Sequence, residues 1–314
     1  YIGETTNLKN RISQHMANDE KSSLRNGSIK VVFDETFNKS AALDLESYLI
    51  QYFSGDRKFK VLNRNDGMCD RDYYDRVNYR KTFEEIWEHL RNLKIADKTI
   101  SEINNSELFK FSPYKNLNFE QLNVVTEVMQ NLDEAINENK KSLSIIDGDA
   151  GTGKTIIITY LTKLLADLQS FDNKNDDIDD ESNFSIFFEF EHINQNFKNK
   201  NIALVVPQQS LRGRIAKIFK KIDLGNANIK ILSPIAFGNC NEYFDITLVD
   251  EAHLLKVGAS GQTAKLVHEI DQKIFGNTEI HTELDWIIAK SKNVVLIFSD
   301  KQRIRPTNIC KSDI

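Results

Sequence analysis

The spacing of apolar positions changes character along the chain. Asn7 to Met16 has amphipathic helical spacing, Ile29 to Phe33 reads as a strand, Ser40 to Phe53 as a helix, and Val61-Leu62 as a short strand. Ser40 suits the N-cap of that second helix and Gly55 its terminator. Phe83, Ile86, Leu90 and Leu93 share one face of a further helix, and Phe111-Ser112-Pro113-Tyr114-Lys115 reads as a turn. From Leu117 onward the pattern is of strands separated by helices, the signature of a parallel α/β sheet. Leu122, Val125, Met129, Leu132 and Ile136 form a helical stripe. Short apolar runs follow at Leu143–Ile146, Ile202–Val206, Ile229–Leu232, Ile246–Val249 and Val294–Phe298. The expected organisation is a small mixed α+β unit at 1–67, a helical connector at 68–116 and a parallel-sheet domain at 117–314. Each apolar run ends in a polar or glycine-rich segment, and sheets of this kind bind ligands at the carboxyl ends of their strands.

A length of 314 residues fits two domains, each large enough for its own core. No apolar run approaches the ~18 residues of a membrane helix, so a transmembrane reading is excluded. Three widely spaced cysteines, Cys69, Cys240 and Cys310, offer no zinc-binding pair and fit a reducing, cytoplasmic setting. The net charge of −5 is unevenly spread: between Asp172 and Glu191 eight acids face one lysine, a local −7 that leaves the rest at +2. Global charge therefore says nothing against a nucleic-acid partner. The acidic stretch 172–183 reads as a solvated insertion.

The run Leu143–Ile146 is followed by Gly148-Asp149-Ala150-Gly151-Thr152-Gly153-Lys154-Thr155 and then an apolar helix from Ile156 to Leu168. Glycines in that G-x-x-x-x-G-K-[ST] spacing let backbone N–H groups curl around phosphates, Lys154 meets the β and γ oxygens, and Thr155 can hold Mg²⁺. The strand Ile246–Val249 delivers Asp250-Glu251-Ala252-His253 to the sheet edge. There Asp250 can hold Mg²⁺ through water and Glu251 can polarise an attacking water. Alone, the acidic pair could mark only a helix N-terminus; beside the upstream loop it completes an NTP hydrolysis site.

These residues resemble a family. Asp250-Glu251-Ala252-His253 matches the DEAH form of the Walker B motif of superfamily 1 and 2 helicases, and Leu117-Asn118-Phe119-Glu120-Gln121 is similar to the adenine-reading Gln motif. Ser299-Asp300-Lys301-Gln302 resembles motif III, whose glutamine senses the γ-phosphate, and Val205 to Ser210 sits where motif Ia would contact a nucleic-acid strand. The best resemblance over 107–314 is to a bacterial helicase-like ATPase family related to the Schlafen helicase-like domain. It implies a RecA-like P-loop domain binding ATP and Mg²⁺ through Gln121, residues 148–155, Asp250 and Gln302, with a second RecA-like domain and its arginine finger expected beyond Ile314. The basic set Arg212, Arg214, Lys217, Lys220 and Lys221 fits either a nucleic-acid contact or a solvated helix face.

At the other end, Arg11 and His15 stand at i and i+4 on one helical face, after a turn preceded by Tyr1. By composition this is an ordinary surface helix, and Glu46 an ordinary residue at the edge of the Ala42, Leu45, Leu49 face. In order, however, Tyr1, Arg11, His15, Glu46 and Asn63, with Asn65 as an alternative to the last, are similar to the GIY-YIG nuclease module over 1–67. The resemblance implies one Mg²⁺ or Mn²⁺ on Glu46, a tyrosine that helps activate water, and an arginine that offsets phosphorane charge. The strand with the first half of that motif is expected upstream of Tyr1. The fold expected is thus a GIY-YIG-like α+β domain followed by a RecA-like domain. The expected function is an ATP-dependent nucleic-acid-processing enzyme, an ATPase with a metal-dependent endonuclease, with DNA favoured over RNA and no membrane partner. The alternative is an ATP-switched nucleic-acid-binding protein whose nuclease module is inert.

Overall fold

The computed structural model describes residues 1–5, 7–17, 28–59, 61, 63, 73–106, 117–149, 151–170, 190, 193–221, 227–258, 264–277, 279–302 and 305–310. Residues 1–110 fall in one compact unit, and residues 120–170 and 193–314 in another.

In the first unit, helix α1 covers Leu8–Ala17 and α2 covers Lys39–Asp56. The N-cap of α2 is Asn38 rather than Ser40, because the Asn38 side chain accepts the N–H of Ala41 at 2.9 Å. Gly55 lies inside the last turn. The left-handed terminator is Arg57 (φ 66°), whose N–H closes on the Phe53 carbonyl. Between 73 and 106, α3 (Arg76–Asn92) and α4 (Ile100–Asn105) follow, the latter with a Thr99–Glu102 capping box. Leu45, Tyr48 and Leu49 of α2 pack with Phe83, Trp87 and Leu90 of α3 and with Ile103 of α4 in one core. Leu93, expected on that face, is exposed. A buried polar cluster also joins α2 to α3: Asp44 takes Arg80 Nη2 at 2.5 Å and the Tyr73 hydroxyl at 3.0 Å, with Arg76 Nε at 3.5 Å.

The strand expected at Ile29–Phe33 is not formed. A strand needs a hydrogen-bonded neighbour, and among the described residues none pairs with this segment, which leaves Ile29, Val31, Val32 and Phe33 exposed. Val61 is likewise outside any strand. Leu62, the acidic stretch 172–183, Cys69, Asn65, Ala150 and Arg303 lie outside the described residues.

The second unit opens with α5 (Phe119–Asn137), whose Leu122, Val125, Met129 and Leu132 are buried, and β1 (Ser142–Asp147). Next come α6 (Lys154–Ser170), the short α7 (Asn194–Phe197), β2 (Ile202–Val205), α8 (Gln209–Lys221) and β3 (Ile229–Leu232). Then follow α9 (Pro234–Asn239), β4 (Phe244–Val249), α10 (Ala264–Phe275), α11 (Glu283–Ala289) and β5 (Ser291–Phe298). All five apolar runs are strands of one wholly parallel sheet in the order β1-β5-β4-β2-β3. The central strands β2, β4 and β5 are buried almost throughout, as continuous apolar runs require, whereas edge strand β1 exposes Leu143 and Ile145. Val205, Val249, Leu296 and Phe298 pack with Phe237, Leu284, Ile287 and Ile309 to form the core.

The strand order decides where the chemistry lies. Asp147 at the end of β1 is opposite Phe298 of β5, and Val249 at the end of β4 is opposite Leu296. The segments leaving these three carboxyl ends, 148–155, 250–254 and 299–302, therefore emerge side by side.

Candidate nucleotide and nuclease sites

The loop after β1 uses its glycines for two purposes. Gly151 and Gly153 adopt φ of +83° and +86°, which side chains with a Cβ rarely tolerate. A Cβ on Gly153 would also come within 2.4 Å of Gln121 Nε2. That amide donates to the Thr152 carbonyl at 2.9 Å, so Gln121 buttresses the loop from the first turn of α5. Thr152 Oγ1 donates to the Asp149 carbonyl at 2.9 Å. Lys154 is buried, and its ammonium donates to the Gly148 and Asp149 carbonyls at 2.8 and 2.7 Å. It thus lies folded along the loop, with an ammonium that phosphate oxygens can recruit.

Asp250 is fully buried at the end of β4, its N–H bound to the Val205 carbonyl at 3.0 Å. Its Oδ1 accepts the Glu251 N–H at 3.0 Å, while Oδ2 is buried without a hydrogen-bond partner. Burial, and next the Glu251 carboxylate, push its pKa up to about 7; the Thr155 hydroxyl, the Glu251 N–H and His253 pull the other way. A buried carboxylate oxygen left unpaired beside the Thr155 hydroxyl is what a Mg²⁺ site offers, so these residues fit the ion.

Glu251 adopts a left-handed conformation (φ 53°, ψ 44°), a strained geometry for a residue with a Cβ. His253, itself buried, places Nε2 3.0 Å from Glu251 Oε2. That hydrogen bond is the largest influence holding Glu251 below the usual carboxylate range. Gln302 lies on a short 3-10 turn after β5, its N–H bound to the Ser299 carbonyl at 3.1 Å and its Oε1 buried without a partner.

Two further features of this unit were not visible from motif spacing. Lys301 reaches back to Asp149 of the loop, Nζ to Oδ1 at 2.8 Å. The segment after His253 is pinned in place: Asn308 Nδ2 donates to the Leu254 carbonyl at 2.8 Å, Ile309 N to the Leu255 carbonyl at 2.9 Å, and Glu283 Oε2 accepts the Lys256 N–H at 3.0 Å. Of the basic set on α8, Arg212 is engaged with the Val206 carbonyl at 2.8 Å, so it shapes the end of β2, while Lys217 and Lys220 are exposed.

In the first unit, Arg11 and His15 lie on α1, one turn apart, with side chains outside the described residues. Glu46 is half-buried on α2, and Tyr1 is partly exposed. Asn63, buried, accepts the Ile2 N–H at 2.9 Å and donates to the Ile2 carbonyl at 2.6 Å. A single side chain thereby substitutes for a neighbouring strand and fixes the backbone next to Tyr1.

No curated protein matches the chain. A family model of the GIY-YIG catalytic domain matches residues 1–59, and a model described as Schlafen group 3, DNA/RNA helicase domain, matches residues 141–313. The second match spans more than half of the 314 residues and contains the loop after β1, the acidic segment after β4 and the turn after β5. The chain belongs to the Schlafen group 3 helicase-domain family and carries a GIY-YIG domain at its amino-terminal end.

Proposed function

We propose that the chain is an ATP hydrolase joined to a metal-dependent GIY-YIG endonuclease, acting on nucleic acid, with DNA favoured. One observation carries the ATPase reading: the parallel adjacency of β1, β5 and β4 lines up Lys154-Thr155, Gln302 and Asp250-Glu251 along one edge of the sheet. Backbone N–H groups of 151–155 receive the β-phosphate, and Lys154 exchanges loop carbonyls for phosphate oxygens. Thr155 and Asp250 would hold Mg²⁺, which would supply positive charge to offset the phosphate charge. Glu251, kept ionised by His253, accepts the proton of the attacking water. Gln302 brings an unpaired amide oxygen to the same edge and senses the γ-phosphate or its water.

For the nuclease, Glu46 would hold Mg²⁺ or Mn²⁺, which supplies Lewis acidity at the scissile phosphate. Tyr1 assists the attacking water, Arg11 offsets phosphorane charge, His15 stands one turn further along α1, and Asn63 holds the backbone beside Tyr1 in register. The paired test is ATP turnover in Glu251→Gln and DNA cleavage in Glu46→Gln. Each is expected to lose its own activity and keep the other's. Cleavage that survives both Glu46→Gln and EDTA rejects the nuclease assignment, and undiminished phosphate release from Glu251→Gln rejects the hydrolytic one.

A further inference from the structure

The phosphate loop carries acid of its own. Asp147 and Asp149 flank Gly148 and are both exposed, so two carboxylates stand where a polyanion must enter. Asp149 is met by Lys301, whose Nζ lies 2.8 Å from Oδ1 and 3.1 Å from Oδ2, an ammonium bridging both oxygens. The pairing holds Asp149 below and Lys301 above their ordinary ranges, and Asp147 acts on Lys301 in the same sense. With side-chain exposures of 77% and 65%, the pair contributes little to stability. Its location is what gives it weight. Asp147, Asp149, Lys154 and Lys301 together carry no net charge, and without Lys301 the loop presents a net negative charge to ATP. Lys301 is also the immediate neighbour of Gln302 on the turn after β5, so the same contact ties that turn to the phosphate loop.

We propose that Lys301 is a nucleotide-positioning residue that acts through Asp149: it cancels the loop's own acid and docks the Gln302 turn against the phosphates. This rests on reading 148–155 as the ATP site. The effect is electrostatic, so it scales with ligand charge and fades as salt screens it.

The test is a titration of the full chain with fluorescent (mant-labelled) ATP and ADP in Mg²⁺, at low and high salt. Lys301→Ala is expected to weaken ATP binding about 5–10-fold at low salt, ADP less, and both less at high salt, with the melting temperature unmoved. Adding Asp149→Asn to Lys301→Ala is expected to bring ATP affinity back to within about twofold of wild type, since the acid to be cancelled is gone. Unchanged affinity in Lys301→Ala overturns the proposal. So does failure of Asp149→Asn to rescue, which would mean that Lys301 touches phosphate directly. If the unaltered chain binds neither nucleotide, the ATP-site reading itself falls.

Discussion

His253 hands Glu251 a hydrogen bond of 3.0 Å from a nearly fully buried ring, so the carboxylate proposed to take a proton from water is oriented by a neighbour two residues away. Glu251, in a left-handed conformation, caps the short 3-10 turn on which His253 sits. Replacement of His253 by Ala should lower ATP turnover about 10–100-fold while nucleotide affinity stays within about threefold of wild type, because the phosphate loop is untouched. Steady-state phosphate release beside a binding titration separates the two quantities. A matching loss of affinity would show that His253 supports the loop instead.

Gly153→Ala faces two penalties, a 2.4 Å collision with the Gln121 amide and a φ of +86°. The strain alone is of order 1–3 kcal/mol. Nucleotide binding should fall below detection, and pairing the change with Gln121→Ala should relieve only the collision. Recovery of full affinity in the double variant would show that the φ strain is harmless. Gly148→Ala, whose nearest obstacle is the Thr152 hydroxyl at 3.1 Å, should be milder in the same titration.

Asp44 is the buried hub between α2 and α3, and Arg80, Arg76 and Tyr73 converge on it. Asp44→Ala would strand partly buried guanidinium groups and raise the cost of folding by about 2–4 kcal/mol. Calorimetry of the whole chain should show the transition of the amino-terminal unit moving down, with ATP binding intact. An unmoved transition would mean that water replaces the carboxylate at no cost.

Glu283 is buried, and burial raises its pKa, opposed by the Lys256 N–H and the Lys256 charge. A raised folded-state value means that its contribution to stability is complete below the ordinary carboxylate pKa and is lost as pH rises through the folded value. Glu283→Gln keeps an acceptor for the Lys256 N–H without the buried charge. The variant should therefore gain melting temperature relative to wild type between pH 4 and pH 8, and a constant difference across that range would contradict the assignment.

How much of this could be read from residues alone depended on the distance over which each feature is determined. The phosphate loop and the acidic segment were legible because glycine spacing and one strand's apolar run fix them locally. The five strands were legible for the same reason, since short, largely apolar runs bounded by polar or glycine-rich segments leave few alternatives even at the sheet edges, where β1 and β3 are only partly buried. Local rules misled where two candidates competed: the helix starts at Lys39, so Asn38 caps it through the Ala41 N–H and Ser40 already lies inside the first turn, and Ile29–Phe33 has strand composition without a strand neighbour among the described residues. The Lys301–Asp149 contact was not legible, for its partners are 152 positions apart and meet only once β5 is laid against β1. Arg212 looked like one cation among five and proved to be a brace for the end of β2.

The sheet order also has a consequence for biosynthesis. Among the described strands, β1 has one neighbour, β5, and Ser142 and its side-chain partner Asn293 are separated by 151 residues. At about 5–20 residues per second, β1 leaves the ribosome roughly 8–30 s before the strand it will pair with. Throughout that interval its apolar residues and unpaired backbone are open to other chains, and the nucleotide cannot help because the loop's companions Asp250, Lys301 and Gln302 are not all yet made. The sheet edge that carries the proposed nucleotide site is thus among the last parts of its sheet to become native, and a newly made chain is exposed to aggregation until translation reaches β5.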